Sequence, residues 1–131
     1  MPSDSSSTGF ERALAATAVG VYLLVVVGAT TALTNAATAC PTWPACNGQW
    51  VVPLDDPQLA VAWGHRVVAF VVGLLVAATT LLAWRRDTRS RVRGALTAAA
   101  LLYPVQAALG ALAATSATPA SFAAVHLVAG M

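Results

Sequence analysis

Two cysteines and two histidines are the residues of this chain whose types and spacing point to chemistry. Cys40 and Cys46 lie six residues apart in a loop that also contains prolines and tryptophans. His65 and His126 each lie in an apolar stretch, where an ionisable side chain is costly and is usually functional. The cysteines predict a disulfide or a metal site, and the histidines predict a pair of metal ligands.

The cysteine pair has two open interpretations. Structural zinc usually requires four ligands, and the chain contains no cysteine besides Cys40 and Cys46. The pair is therefore either a disulfide that staples the loop or a redox pair that is reduced and re-formed. Closing so small a loop stabilises the fold by about 2 kcal/mol in the chain-entropy model.

The composition predicts that membrane helices position these residues. Of 131 residues, 58% are hydrophobic and 9% are charged, whereas a soluble domain has about a quarter charged residues. Residues 1–12 are predicted to form a polar tail, in which residues 1–10 are expected to be disordered. Four apolar stretches predict helices, over about residues 13–34, 59–84, 94–116 and 120–131.

The predicted fold is all-α and integral to the membrane: an antiparallel four-helix transmembrane bundle in one domain, residues 13–131. The stretch after Pro119 has 12 residues and covers about 18 Å, short of the roughly 30 Å of a hydrocarbon core. We therefore expect the last helix to be truncated and the chain to be a fragment of a longer protein.

The arginines predict the orientation in the membrane. Five of the seven basic residues lie between Arg85 and Arg93, in the loop between the second and third helices. Such clusters usually remain on the cytoplasmic side. We predict a multi-pass protein of the cell membrane with the N-terminus and this loop in the cytoplasm and the Cys40–Cys46 loop outside. The cluster is interpreted as a contact with the lipid bilayer, and no nucleic-acid binding is expected.

The two histidines are predicted to lie at similar depth. His65 is about six residues into the second helix, and His126 follows Pro119 by seven residues, both counted from the outer side. Each is then roughly 10 Å below the outer surface. Two imidazoles at one depth on different helices of a bundle are able to ligate a haem iron axially. The alternative is that each histidine only forms hydrogen bonds within the bundle.

Arg66 and Gln106 are further candidates for contact with a cofactor. Arg66 follows His65 and would either neutralise a haem propionate or extend to the lipid headgroups. Gln106 would either form a hydrogen bond between helices or contact the porphyrin. No catalytic residue is predicted.

The loop resembles that of the haem A synthase family, whose members have the pattern Cys-Pro-x-Trp-Pro-x-Cys-x-Gly, matched here by residues 40–48. The resemblance covers about residues 14–131. It implies haem of b, O or A type as ligand and oxidation of a methyl group of haem O to the formyl group of haem A. It also implies a second four-helix half or a homo-oligomer that supplies it. Three further patterns match: His-Arg at 65–66, Gln-x-x-Leu-Gly at 106–110 and His-Leu at 126–127.

Two positions depart from that family. Its members have a glutamate three residues before the first histidine and an arginine eight residues before the first cysteine, and this chain has Ala62 and Ala32 there. The glutamate is the family's candidate for stabilising a cationic intermediate or handling a proton. Its absence argues against oxidation by this chain.

A closer resemblance is to some archaeal haem O synthases (protohaem IX farnesyltransferases), which have a similar four-helix module at their N-terminus. It is carried by residues 62–66 and by the Thr-rich end of the first helix. Prenyl transfer, with Mg²⁺ and farnesyl diphosphate, would then belong to a domain that follows. We predict a haem-handling module of haem O and haem A biosynthesis, and favour a haem O synthase. The alternatives are a haem A synthase and a bis-histidine electron-transfer protein coupled to the cysteine pair.

Overall fold

The computed structural model describes residues 5–86, 88–115 and 120–130. The regular elements of these residues are all helical, which confirms the predicted all-α class. A single 3₁₀ turn, Ala36–Ala39, follows the first helix. The α-helices, in chain order, are α1 (Ser5–Leu33), α2 (Pro57–Arg85), α3 (Ser90–Ala114) and α4 (Ala120–Gly130).

Helix α1 begins earlier than the sequence predicts. The polar segment before Glu11 was expected to be disordered, yet it is helical from Ser5. Once a helix exists, each added residue contributes a backbone hydrogen bond without a new nucleation cost. The apolar stretch therefore extends its helix into the polar segment. Residues 1–4 lie outside the described part of the chain.

Three helices are long and apolar enough to cross a membrane, namely Thr8–Leu33 within α1, all of α2 and all of α3. Helix α4 contains a shorter apolar stretch, Ser121–Gly130. Large apolar side chains such as Tyr22, Phe70 and Leu101 are exposed on the outside of the bundle, as expected of surfaces that face lipid. The chain is a multi-pass membrane protein.

The helices pack in chain order, α1 on α2, α2 on α3 and α3 on α4. Glycines at these contacts allow close approach. A methyl group in place of the Gly20 hydrogen would lie 3.2 Å from Cγ2 of Val72, and one at Gly73 would lie 2.9 Å from the ring of Tyr103. Small residues are favoured there because lipid supplies no hydrophobic force between helices, so contact area must come from close packing.

Hydroxyl groups join the helices in the half of the bundle away from the loop. The Oγ1 atoms of Thr17 in α1 and Thr79 in α2 are 2.8 Å apart in a buried hydrogen bond. Trp84 donates from Nε1 to Oγ1 of Thr97 in α3 over 2.9 Å. These contacts set α1, α2 and α3 side by side, and so fix where the opposite ends of the helices meet the loop.

The start of α2 is fixed by its local sequence. The Asp56 side chain accepts hydrogen bonds from the backbone N–H groups of Gln58 at 2.9 Å and Leu59 at 3.2 Å. Pro57 occupies the first turn, where its missing N–H has no intrahelical partner to lose. This N-cap determines how far along α2 the first histidine lies.

Candidate functional site

A disulfide joins Cys40 to Cys46 in the segment that connects α1 to α2. Both cysteines are buried in a small apolar cluster with Ala36, Val52 and Ala62. The disulfide therefore lies at the centre of a packed loop. We call residues 40–49 the disulfide loop.

The second half of the disulfide loop is a tight turn. Cys46 and Gln49 exchange two backbone hydrogen bonds, each 2.9 Å long. Between them, Asn47 has φ of 51° and Gly48 has φ of 80°. Asn-Gly is the preferred pair where both central residues of a two-residue turn need positive φ. The turn brings Cys46 back towards Cys40.

Side-chain hydrogen bonds join the two halves of the disulfide loop. The Thr42 hydroxyl donates to the Ala45 carbonyl and accepts from the Asn47 backbone N–H, both over 2.7 Å. The Asn47 side chain donates to the Ala39 carbonyl over 3.3 Å. These contacts were not predicted, although Thr and Asn commonly bond nearby backbone groups in turns.

Arg66 in α2 is hydrogen-bonded to the disulfide loop. Its Nη2 atom donates to the Cys40 carbonyl over 2.6 Å. Its Nη1 atom donates to the carbonyls of Thr42 over 2.7 Å and Pro44 over 3.4 Å. The guanidinium group is thus directed to protein backbone, an arrangement that differs from both of the predicted alternatives.

A second hydrogen bond between α2 and the loop region involves Trp63. Its Nε1 atom donates to the carbonyl of Trp50 over 2.9 Å, while the Trp63 ring packs against the buried cluster around the disulfide. This tie was also not predicted. Its signal in the sequence is a tryptophan in the first turns of a helix that follows a loop.

His65 projects from α2 towards α1. A methyl group at Gly28 would lie 3.1 Å from Cε1 of His65, so the imidazole rests on the bare backbone of α1. The Nδ1 atom of His65 is buried and has no hydrogen-bond partner among the described residues. Leaving a buried nitrogen without a hydrogen bond costs free energy.

His126 in α4 has the same features. A methyl group at Gly110 of α3 would lie 2.9 Å from Cε1 of His126. Its Nδ1 atom is likewise buried and lacks a partner within the described part of the chain. The Gln106 side chain donates from Nε2 to the His126 carbonyl over 2.6 Å. Gln106 therefore makes the interhelical hydrogen bond that was one of its two predicted roles.

The two histidines occupy comparable positions on their helices. His65 follows the first residue of α2 by eight residues, and His126 follows the first residue of α4 by six, about 12 and 9 Å along the helix axes. Each ring lies against a glycine of a different neighbouring helix, Gly28 of α1 for His65 and Gly110 of α3 for His126.

The two positions that depart from the family pattern have different surroundings. Ala62 is 4% exposed and packs in the cluster beneath the disulfide, one helical turn before Arg66. A carboxylate there would enter an apolar environment next to a guanidinium group. Ala32, by contrast, is exposed near the end of α1.

Comparison with known proteins places these residues in a family context. The family model described as COX15-CtaA, cytochrome oxidase assembly protein, matches residues 11–63. Heme A synthase of Shouchella clausii is 40% identical over 80 residues, which cover 60% of this chain and 26% of that protein. The predicted resemblance is confirmed.

Archaeal relatives match over a longer stretch. Protoheme IX farnesyltransferase of Halobacterium salinarum is 52% identical over 129 residues, 98% of this chain and 28% of that protein. The enzyme of the same name in Haloarcula marismortui is 55% identical over 127 residues, 97% of this chain and 27% of that protein. The chain thus spans little more than a quarter of the length of these relatives. No solved structure gives a significant match to it.

Proposed function

We propose that this chain is a haem-handling membrane module of haem O and haem A biosynthesis and part of a haem O synthase (protohaem IX farnesyltransferase). His65 and His126 would hold the haem by ligating its iron. The archaeal relatives support the choice of enzyme, because both are protoheme IX farnesyltransferases and their similarity extends over nearly the whole chain.

The observation that most supports haem binding is the shared setting of the two histidines. Each ring lies against a glycine of a neighbouring helix, and each has a buried Nδ1 without a partner among the described residues. Imidazole is a common axial ligand of haem iron. Two histidine side chains inside a helix bundle therefore fit a haem, whose iron imidazole nitrogens commonly ligate.

The other residues of the predicted set would support the ligands. Gln106 holds the α4 backbone at His126 itself, and Arg66 holds the loop above α2. Haem would be the substrate or cargo of the module. The tasks of the chain would be to bind it, orient it and keep its ring inside the bundle.

The proposed orientation follows from the arginine-rich segment of residues 85–93, which joins α2 to α3. With that segment in the cytoplasm, the disulfide loop lies outside, where a disulfide persists. A thiol reagent that cannot cross membranes would label Cys40 and Cys46 in intact cells after reduction. Labelling that requires lysis would reverse the orientation.

Haem ligation is tested with the full-length gene product purified in mild detergent. Wild-type protein should show a low-spin haem spectrum, and His65→Ala and His126→Ala should each lose it. Gln58→Ala, at an exposed position near the start of the same helix, serves as the control and should retain it. A wild-type protein without the low-spin band, or both histidine variants with it, would refute the proposal.

The enzymatic step is tested separately. The full-length gene product is incubated with haem B, Mg²⁺ and farnesyl diphosphate. The haems are then extracted and identified by mass spectrometry. Haem O synthase activity adds the farnesyl group and the hydroxyl of a water molecule across a vinyl group of the haem and releases diphosphate. Formation of a formyl haem from added haem O would instead favour haem A synthase, the alternative supported by the match to residues 11–63.

A third candidate, an electron-transfer protein coupled to the disulfide, is supported by the hydrogen bond from Arg66 to the Cys40 carbonyl, next to His65 in sequence. A redox titration distinguishes it. Reduction of the haem would have to change the oxidation state of Cys40 and Cys46, and an unchanged disulfide would exclude this role.

A further inference from the structure

Arg66 connects the helix that contains His65 to the disulfide loop. Its two terminal nitrogens donate to backbone carbonyls of alternate loop residues, 40, 42 and 44. A guanidinium group is planar and rigid, so it can present several N–H donors at once in one fixed arrangement. Arg66 thus links the whole first half of the disulfide loop to α2.

The same turn of α2 presents two different faces. Ala62 and Arg66 are four residues apart and therefore lie on one face, where Ala62 packs beneath the disulfide. His65 precedes Arg66 by one residue and points about 100° away around the axis, towards Gly28 of α1. Any rotation of this turn that loosens the loop also moves the imidazole.

We propose that Arg66 is a positioning residue of the histidine site. By holding the disulfide loop against α2, it fixes the rotation of the turn and keeps the His65 ring seated on Gly28. This inference rests on the proposed role of His65 as a haem ligand. Arg66 itself acts through the loop and through its neighbour in sequence.

The hydrogen bonds of Arg66 differ in kind from the hydrogen bond that Trp63 makes to the same region. Trp63 donates a single neutral hydrogen bond to the Trp50 carbonyl, beyond the second cysteine. Arg66 is charged and bonds to residues inside the ring that the disulfide closes. Charge-assisted hydrogen bonds are roughly twice as strong as neutral ones. Loss of Arg66 would also leave carbonyls unpaired beside the buried cluster.

The first measurement follows the loop and needs no haem. The full-length gene product in detergent is treated with dithiothreitol, and the freed thiols are counted with a maleimide over time. In Arg66→Gln the disulfide should be reduced about tenfold faster than in wild type, the equivalent of one charged hydrogen bond. Arg66→Lys, which keeps the charge but not the planar group, should be intermediate, and Trp63→Phe should stay close to wild type.

The second measurement follows the ligand. Electron paramagnetic resonance of the ferric protein reports the relative angle of two axial imidazoles. A variant that is only less stable would lose haem signal but would keep the wild-type g values. Arg66→Gln should keep its haem but show displaced low-spin g values, with Arg66→Lys closer to wild type. Trp63→Phe should keep the wild-type values.

The outcomes separate the two proposals. Wild-type protein without low-spin haem would refute the haem function, while the disulfide measurement would still test the loop contact. If Arg66→Gln matches wild type in both measurements, the positioning role is overturned. The same holds if Trp63→Phe changes both signals as much as Arg66→Gln does.

Discussion

The two histidines of the candidate site both lie against a glycine of a neighbouring helix, but the helices that contain them are fixed by different contacts. His65 lies on α2, whose first turns are hydrogen-bonded through Arg66 to a loop closed by a disulfide. His126 lies on α4, where the described ties to neighbouring helices are the Gln106 hydrogen bond and the contact with Gly110. The helix of His65 is thus fixed by a cross-linked loop, whereas α4 packs mainly against α3 and has fewer contacts with α1.

This difference indicates how a bundle with few buried side chains still positions ligands. Helices in lipid gain little from apolar burial against each other, so fixed geometry must come from covalent links, hydrogen bonds and close contacts at glycine. We expect His65 to be preorganised and His126 to depend mainly on its contacts with α3. The following variants test that contrast, beginning with the largest expected effect.

Gly110→Ala should weaken haem binding about a hundredfold, because overpacking costs up to about 3 kcal/mol and the new methyl would lie 2.9 Å from the His126 ring. Gly28→Ala, at 3.1 Å from His65, should have a smaller effect. Haem titration followed by absorbance measures both.

Gly64→Ala and Gly94→Ala are matched controls, since a methyl at either position meets no atom within 4 Å. Both should bind haem as wild type does. If Gly28→Ala lowered haem affinity more than Gly110→Ala did, His126 would be the more firmly held histidine, the opposite of our expectation.

The double variant Cys40→Ala, Cys46→Ala should lower the free energy of unfolding in detergent by about 2 kcal/mol, since the loop closed by the disulfide is short. The variant should also show displaced low-spin g values, because the His65 ring is expected to lose its fixed orientation. Denaturant titration of oxidised wild type and the variant measures the stability. Equal midpoints would mean that the loop is held without its cross-link.

Gln106→Ala should cost about 1 kcal/mol of haem-binding free energy, the usual worth of one hydrogen bond, because it releases the α4 backbone at His126. Gln58→Ala removes a longer and exposed hydrogen bond, 3.4 Å to the Thr34 carbonyl, and should be neutral. Isothermal titration with haem compares them. Identical affinities for both variants would show that α4 does not depend on Gln106.

Thr79→Val should have the smallest effect, about 0.6 kcal/mol of stability, the mean value for hydrogen bonds between membrane helices. The bond it removes, to Thr17, lies in the half of the bundle away from the histidines. The haem spectrum should therefore remain that of wild type. A spectral change as large as that of Gln106→Ala would show that the two halves are coupled.

Hydropathy and residue type predicted the helical class, the approximate helix positions and the pairing of Cys40 with Cys46. They also placed His65 and His126 at similar depth, because depth depends on residue count along a helix of known rise. The early start of α1 at Ser5 was missed, since a polar composition does not prevent an existing helix from continuing.

The partners of the side chains were harder to predict. Arg66 had two expected roles, and its hydrogen bonds to loop carbonyls were neither of them. The position of Ala62 beneath the disulfide was also not evident from sequence. Both depend on how the loop folds back over α2, which is decided by the disulfide, the Asn47–Gly48 turn and the N-cap together.

The sequence by itself determined that this chain crosses the membrane more than once, that its two cysteines are near enough to pair, and that two histidines lie in apolar helices. These properties depend on local spacing and on the length of apolar stretches. Only the tertiary structure decided that each imidazole rests on a glycine of another helix and that Arg66 joins the disulfide loop to α2. Those contacts join residues more than 15 positions apart in the chain, and their geometry depends on helix rotation, which a pattern of small and apolar residues leaves open.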